Sequence, residues 1–371
     1  MFNLLETIVS TTNDVLWSYV LIAMLICLGS YFTVKTNFVQ FRLSGEMFRL
    51  LGEGVGSAKD GVSSFQALCI STASRVGTGN LAGVAMAIAV GGPGAVFWMW
   101  LIAILGSATG FVESTLAQIY KIRDKSGFRG GPAYYMEKGL NQRWMGIMFA
   151  ILITLSFGLV FNSVQANTIT VALQTAYGID RMMMGLVLAV LTAVIIFGGI
   201  KRIAQVCEWM VPLMAGAYIV LALFIMVKNI TVLPAVMAVI FSSAFGLKAA
   251  AGGGMGAAIM MGIKRGLFSN EAGMGSVPNA AATADVSHPV KQGLIQAFGV
   301  FVDTLFVCSA TAFIILLSGI SADGLTGIEL AQAALSVHIG TWAKGFLAVI
   351  VFLFAFSSVI GNYYYGETNI E

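Results

Sequence analysis

The residues best placed to do chemistry lie in Ser71-Thr-Ala-Ser-Arg-Val-Gly-Thr-Gly-Asn-Leu81, inside a long apolar segment at about 62–90. A continuous membrane helix disfavours Gly77, Thr78, Gly79 and Asn80 in succession, because Gly costs about 1 kcal/mol in a helix interior and Thr and Asn are weak formers. The spacing predicts a break, with one half-helix ending near Arg75 and a second starting near Asn80 or Leu81. Non-helical backbone at membrane depth persists only where protein buries it or where it lines a cavity. Freed N–H groups at the start of the second half attract an anion. Freed carbonyls at the end of the first half can hold a cation. A packing kink is the bland alternative; four polar or glycine positions plus an arginine weigh against it.

Other polar residues in apolar surroundings are functional candidates by default. Arg75 falls near mid-depth, Glu113 in the inner part of the third span, Asp303 in the eighth, and Lys248 at a second break. Arg75 is expected to cap the carbonyls freed by the break and to pair with an acid. Lys248 either snorkels or faces the cavity, and Asp303 is a partner or a proton carrier. Asn162 and Gln165 are three residues apart and share a helix face. They suit either a polar ligand or interhelical hydrogen bonding, which is worth about 0.6 kcal/mol per bond. Ser357, Ser358 and Asn362 interrupt another apolar run. No HExxH, GxSxG or P-loop pattern occurs in a suitable context, which argues against an enzyme.

These residues need a membrane scaffold. The chain has 371 residues, 58% hydrophobic and 10% charged, with mean hydropathy +0.89. A soluble domain would carry about 25% charged residues. No basic patch with interleaved aromatics points to nucleic acid. Cys27, Cys69, Cys207 and Cys308 lack paired spacing and read as buried free thiols. The N-terminus lacks the features of a signal peptide.

Apolar length predicts nine spans, at about 15–34, 62–90, 95–120, 145–177, 181–198, 204–227, 231–262, 290–318 and 343–363. An amphipathic linker covers 35–61, and a short amphipathic piece lies within 319–342. The connections after the first, third, fifth and seventh spans hold every Lys and Arg except Arg75, Arg181, Lys228, Lys248 and Lys344. That asymmetry predicts a multi-pass protein of the plasma (inner) membrane with its N-terminus outside. The seventh span repeats the break of the second: Ser242-Ser-Ala-Phe-Gly-Leu-Lys-Ala-Ala-Ala-Gly-Gly-Gly254 sets three glycines, Gly252, Gly253 and Gly254, in an apolar segment. Interrupted segments at matching places in two inverted halves point to a transporter site.

Gly91-Gly-Pro-Gly-Ala-Val-Phe-Trp-Met-Trp-Leu-Ile-Ala-Ile-Leu-Gly106 resembles the signature of the alanine or glycine:cation symporters, the sodium:alanine symporter family. Ser269-Asn-Glu-Ala-Gly-Met-Gly-Ser276 and Tyr363-Tyr-Tyr-Gly-Glu367 resemble further blocks of it, and the likeness covers the whole chain. The resemblance implies an all-α membrane protein with the leucine-transporter-like 5+5 inverted-repeat fold. On it, 1–371 is one transporter domain, with the first repeat at about 62–227 and an incomplete second at about 231–371. The family pattern runs on past Glu371, so the C-terminus is expected to lack two helices.

The family imports small neutral amino acids with Na⁺ or sometimes H⁺, without an organic cofactor. By resemblance, the N–H groups of Thr78 and Gly79, beside Asn80, hold the substrate carboxylate. Gln165 lines the pocket. Gly252–Gly254 face the amino group and side chain. Ala73, Val76 and Phe354 carbonyls with Ser357 and Ser358 hydroxyls form a Na⁺ site. The family often has Trp where this chain has Asn362, which adds serine and glutamine to alanine and glycine as expected substrates. The alternatives are a cation channel and a non-transporting fragment of such a symporter. The partners expected are the amino acid, the ion and membrane lipid.

Overall fold

A computed structural model of the protein describes residues 2–54, 61–124, 127–246, 254–322 and 324–370. Its elements are α1 (Glu6–Lys35), α2 (Ser44–Gly54), α3 (Ser64–Arg75), α4 (Gly79–Gly91), α5 (Ala95–Ile119), α6 (Pro132–Leu140), α7 (Arg143–Tyr177) and α8 (Arg181–Ile196). They continue as α9 (Gly199–Lys228), α10 (Leu233–Ala244), α11 (Met255–Asn270), α12 (Val277–Ala282), α13 (Pro289–Ser318), α14 (Gly327–Ile339) and α15 (Ala343–Ile370). The polar connection after α5 holds one antiparallel hairpin, β1 (Ile122–Asp124) with β2 (Gly127–Arg129), pairing Ile122 with Arg129. Among the described residues, six helical stretches are long and apolar enough to cross a membrane. Large apolar side chains such as Leu186, Phe197 and Trp209 face outward, as a lipid environment favours.

The expected break is present, and the residues around it explain it. Ser63 caps α3: its hydroxyl accepts from the Gln66 N–H at 3.1 Å, and the Gln66 side chain accepts from the Ser63 N–H at 3.0 Å. Such a reciprocal cap fixes where a helix starts. The helix stops at Arg75, and Val76 leaves helical geometry at φ −79°, ψ 88°. The chain re-enters a helix at Gly79, first as a π-helical turn over Gly79–Gly83. Further π-helical stretches occupy Thr154–Phe161 in α7 and Val302–Cys308 in α13. Such widened turns recur at functional sites; these three flank the break, whereas a fourth, Leu16–Val20, lies in α1.

α4 ends in the turn Gly91-Gly-Pro-Gly94, where Gly92 has φ +72°. A side chain at Gly94 would meet the backbone of Ser243 and Ala244, so glycine lets α10 pack against this turn. α5 then runs through the centre, against α1, α11 and α13. α15 lies across α3, α7 and α9. α1 is peripheral, with 11% of its most apolar window buried against 72% for the α13 span.

Several sequence expectations need correction. The interrupted seventh span extends to Asn270, because α11 continues past 262. Lys264 and Arg265 therefore sit inside a helix, where Lys264 Nζ reaches Ser18 Oγ at 2.8 Å and Arg265 meets Met86. They are not loop charges. The ninth span runs to Ile370. Cys27 is exposed, whereas Cys69, Cys207 and Cys308 are buried free thiols.

Candidate functional site

The break meets α15 through two hydroxyls. Ser358 Oγ lies 3.0 Å from the Ala73 carbonyl, 3.5 Å from that of Val76 and 3.0 Å from that of Phe354. Ser357 Oγ lies 3.3 Å from the Ala73 carbonyl and 2.8 Å from that of Phe354. Ser357 and Ser358 are fully buried. The five oxygens expected around a cation are thus brought together from two helices. All five are neutral and hard, the donor type that small hard cations take. In this structure the hydroxyl protons serve the carbonyls; a cation would draw the hydroxyl lone pairs instead. The close approach depends on glycine. A side chain at Gly361 would stand 2.9 Å from the Ser74 nitrogen, and one at Gly77 would strike Ser358 Oγ. Among the described residues, no group of three His, Cys, Asp or Glu is placed to hold a metal.

Beside these oxygens is a small cavity of about 20 Å³, lined by Ser74, Arg75, Gly79, Phe161, Gln165, Phe268, Glu271, Met274 and Asn362. That is room for about one water. Gln165 Oε1 accepts from the Thr78 N–H at 3.3 Å. A side-chain oxygen thus occupies the freed N–H at the start of α4, where a carboxylate oxygen is expected. Asn362 lies within hydrogen-bond reach of Ser74 Oγ at 2.6 Å. A larger hollow of about 220 Å³ lies elsewhere, between α2 and the start of α13, where Lys291 pairs with Glu53 at 3.2 Å.

Other candidates take different places. Asn80 turns away from the cavity: its Nδ2 donates to Asp303 Oδ1 at 2.7 Å, and its Oδ1 accepts from the Gly77 N–H at 2.9 Å. The Asn80 carbonyl accepts from Thr311 Oγ1 at 2.7 Å, which in turn pairs with Tyr218 at 2.8 Å. Asn80 therefore ties the break to α13 and α9. Asp303 Oδ2 also accepts from Ser269 and Thr304, each at 2.8 Å. Asn162 bonds back to Gly158 O on its own helix at 3.3 Å and does not line the cavity. Gly254 is exposed at the start of α11, while Lys248, Gly252 and Gly253 lie outside the described residues.

Arg75 does not cap the freed carbonyls. Its guanidinium turns to Gln296 on α13, 3.4 Å from both the carbonyl and the side-chain oxygen. Among the described residues it makes no ion pair within 4.0 Å, and its buried Nε has no partner. Glu113 accepts from the Gly273 N–H at 3.1 Å.

Sequence reasoning missed Ser74, Phe161, Phe268, Met274 and, above all, Glu271. Glu271 closes α11 in left-handed geometry at φ +54°. Its carboxylate is buried and faces Ser74 Oγ at 3.0 Å and Ser276 Oγ at 2.6 Å. The available signal was an acid between two glycine positions, Gly273 and Gly275, and the apolar helix before it.

Comparison with known proteins gives a consistent answer. The profile of the sodium:alanine symporter family matches residues 2–371. The chain is 61% identical to the probable sodium/glutamine symporter GlnT of Bacillus subtilis, over 100% of this chain and 78% of that protein. It is 59% identical to the amino-acid carrier protein AlsT of the same organism, over 100% of this chain and 79% of that protein. It is 39% identical to the sodium/alanine symporter AgcS of Methanococcus maripaludis, over 98% and 83%. The chain spans about four fifths of the length of each of these relatives. The family is one of transporters, not enzymes, and its named cargo fits a break that pairs freed carbonyls with hydroxyls beside a polar cavity. This chain belongs to the sodium:alanine symporter family.

Proposed function

We propose that the chain is a multi-pass secondary symporter that imports a small neutral amino acid with Na⁺ by alternating access. One observation carries the reading: the α3–α4 break offers carbonyls to Ser357 and Ser358 on one side and an N–H to a polar cavity on the other. On this reading, the Ala73, Val76 and Phe354 carbonyls and the two hydroxyls hold Na⁺. The substrate carboxylate displaces Gln165 from the Thr78 N–H, and Gly79 and Asn362 line its side chain. The cavity is small, so Gln165 and the Phe161 and Phe268 rings must part to admit an amino acid. H⁺ is the alternative coupling ion.

A glutamine carrier stands among the relatives at 61% identity, and Asn362 supplies a polar wall; both support serine and glutamine as substrates beside alanine and glycine. The two broken segments support the 5+5 inverted-repeat scaffold. The Lys and Arg of the connections after the first, third and fifth spans, which do not depend on Lys264 and Arg265, support an N-terminus outside. The test is amino-acid binding to purified protein across a Na⁺ titration. Alanine should bind more tightly as Na⁺ rises, with choline unable to replace it. Equal affinity in Na⁺ and choline would overturn the assignment.

A further inference from the structure

Ser74 serves two acceptors with one proton. Its Oγ lies 2.6 Å from Asn362 Oδ1 and 3.0 Å from Glu271 Oε1. A serine hydroxyl has a single proton to donate. Whichever oxygen takes it, the other lacks a donor, and the shorter contact assigns it to Asn362. Glu271 Oε1 is then left facing a lone pair. Tyr365, beside Ser74, can donate to that hydroxyl or take its proton, and neither gives Glu271 a donor. The other carboxylate oxygen, Oε2, accepts from Ser276 at 2.6 Å. Glu271 is buried, and among the described residues it makes no ion pair within 4.0 Å. A buried carboxylate with one oxygen unserved is costly unless a donor, and best a charged one, meets it.

The acid reaches the cavity because the chain unwinds around it. α11 ends at Asn270, and Glu271, Gly273 and Gly275 take φ +54°, +87° and +77° before α12 starts at Val277. Glu113 on α5 holds this stretch through the Gly273 N–H at 3.1 Å. Phe268, three residues before Glu271, packs on the first break: a side chain at Gly79 would stand 3.1 Å from its ring. A second non-helical stretch thus borders the same cavity as the first. Gln165, which holds the Thr78 N–H, also lines it. Among the described residues lining the cavity, Glu271 is the only acid, and Arg75, the only cation, turns to Gln296.

We infer that Glu271 is the counter-charge for the substrate's α-ammonium group, which supplies the donor that its Oε1 lacks. The inference rests on the carrier reading above, with this cavity as the substrate site and the Thr78 N–H on the carboxylate. It assigns the ammonium to the stretch after α11 rather than to Gly252–Gly254. It also sets a class: α-amino acids are taken, and α-hydroxy acids, which bring an anion and no positive charge to Glu271, are refused.

The experiment measures equilibrium binding to purified protein in Na⁺, with alanine compared to L-lactate, in which a hydroxyl replaces the ammonium. Wild type should prefer alanine by about thirtyfold or more, the scale of a buried charge pair. In Glu271→Gln, alanine should weaken by about thirtyfold or more while lactate holds or tightens, because its like-charged neighbour is gone. The preference then collapses. A merely structural defect would weaken both ligands and leave their ratio unmoved. Glu271→Asp is the second variant, read whether or not Glu271→Gln folds. It keeps the charge and withdraws it by one methylene, and β-alanine carries its ammonium one methylene farther from its carboxylate. Binding of β-alanine relative to alanine should therefore rise about tenfold in Glu271→Asp. Wild type that binds alanine in Na⁺, with an unmoved alanine-to-lactate ratio in Glu271→Gln or an unmoved β-alanine-to-alanine ratio in Glu271→Asp, overturns the inference alone. Wild type that binds no alanine in Na⁺ overturns the carrier reading and the inference with it.

Discussion

Ser357 and Ser358 differ from most serines in membrane helices, whose hydroxyls bond only to their own backbone. Each also reaches a carbonyl of another helix, at 3.3 Å and 3.0 Å from Ala73 O. Replacing both with Ala removes two of the five oxygens assigned to the ion. The Na⁺ concentration for half-maximal alanine binding should rise about tenfold or more, a change of about 1.4 kcal/mol. An unchanged Na⁺ titration would place the ion elsewhere. Asn362 is tested by replacement with a large apolar ring. Asn362→Trp should fill the polar side of the cavity and narrow selection to glycine and alanine. A competition panel of glycine, D- and L-alanine, serine and glutamine measures this; the same rank order before and after would remove Asn362 from specificity. At this scale the sequence was uneven. The five oxygens were legible only through the family resemblance, since residues 73 and 358 are far apart in the chain. Glu271 was not legible. It contacts Ser74 across 197 positions, and no local spacing links them.

The break itself is legible because its cause is local. Four weak helix formers follow Arg75, and the structure opens the helix at Val76 with glycine at positions 77 and 79. Gly77 has a second duty that only packing reveals: any side chain there strikes Ser358 Oγ. Gly77→Ala should therefore separate α3 from α15 and weaken Na⁺-dependent alanine binding by about tenfold or more. Gly256→Ala is the control, because nothing lies within 4 Å of a side chain there. Equal binding by the two variants would show that the close contact is unimportant. Other element boundaries were misread for a physical reason. Charged or polar residues inside a helix read as its end when the partners that hold them, such as Ser18 for Lys264 and Met86 for Arg265, lie far away in the chain. α11 thus runs on through Lys264 and Arg265 to Asn270, and α15 runs on through Tyr363–Tyr365. Asn80 was misread because its position at the break suggested a ligand, whereas Asp303 claims its amide.

For the whole molecule, the central claim is that one broken helix serves ion and amino acid together. Sites that share the same flexible backbone are coupled, and at equilibrium the coupling is reciprocal. Saturating alanine should therefore tighten Na⁺ binding by the same factor by which saturating Na⁺ tightens alanine binding. Titrations in both directions on one preparation measure the two factors, and unequal factors would break the two-ligand scheme. In a sealed membrane that coupling becomes transport. The most direct test is uptake of labelled alanine by proteoliposomes with an inward Na⁺ gradient, set against equal Na⁺ on both sides. The account predicts transient accumulation above the external concentration with the gradient, and only equilibration once an ionophore collapses it. Alanine entry at the same rate and to the same level in both conditions would contradict it.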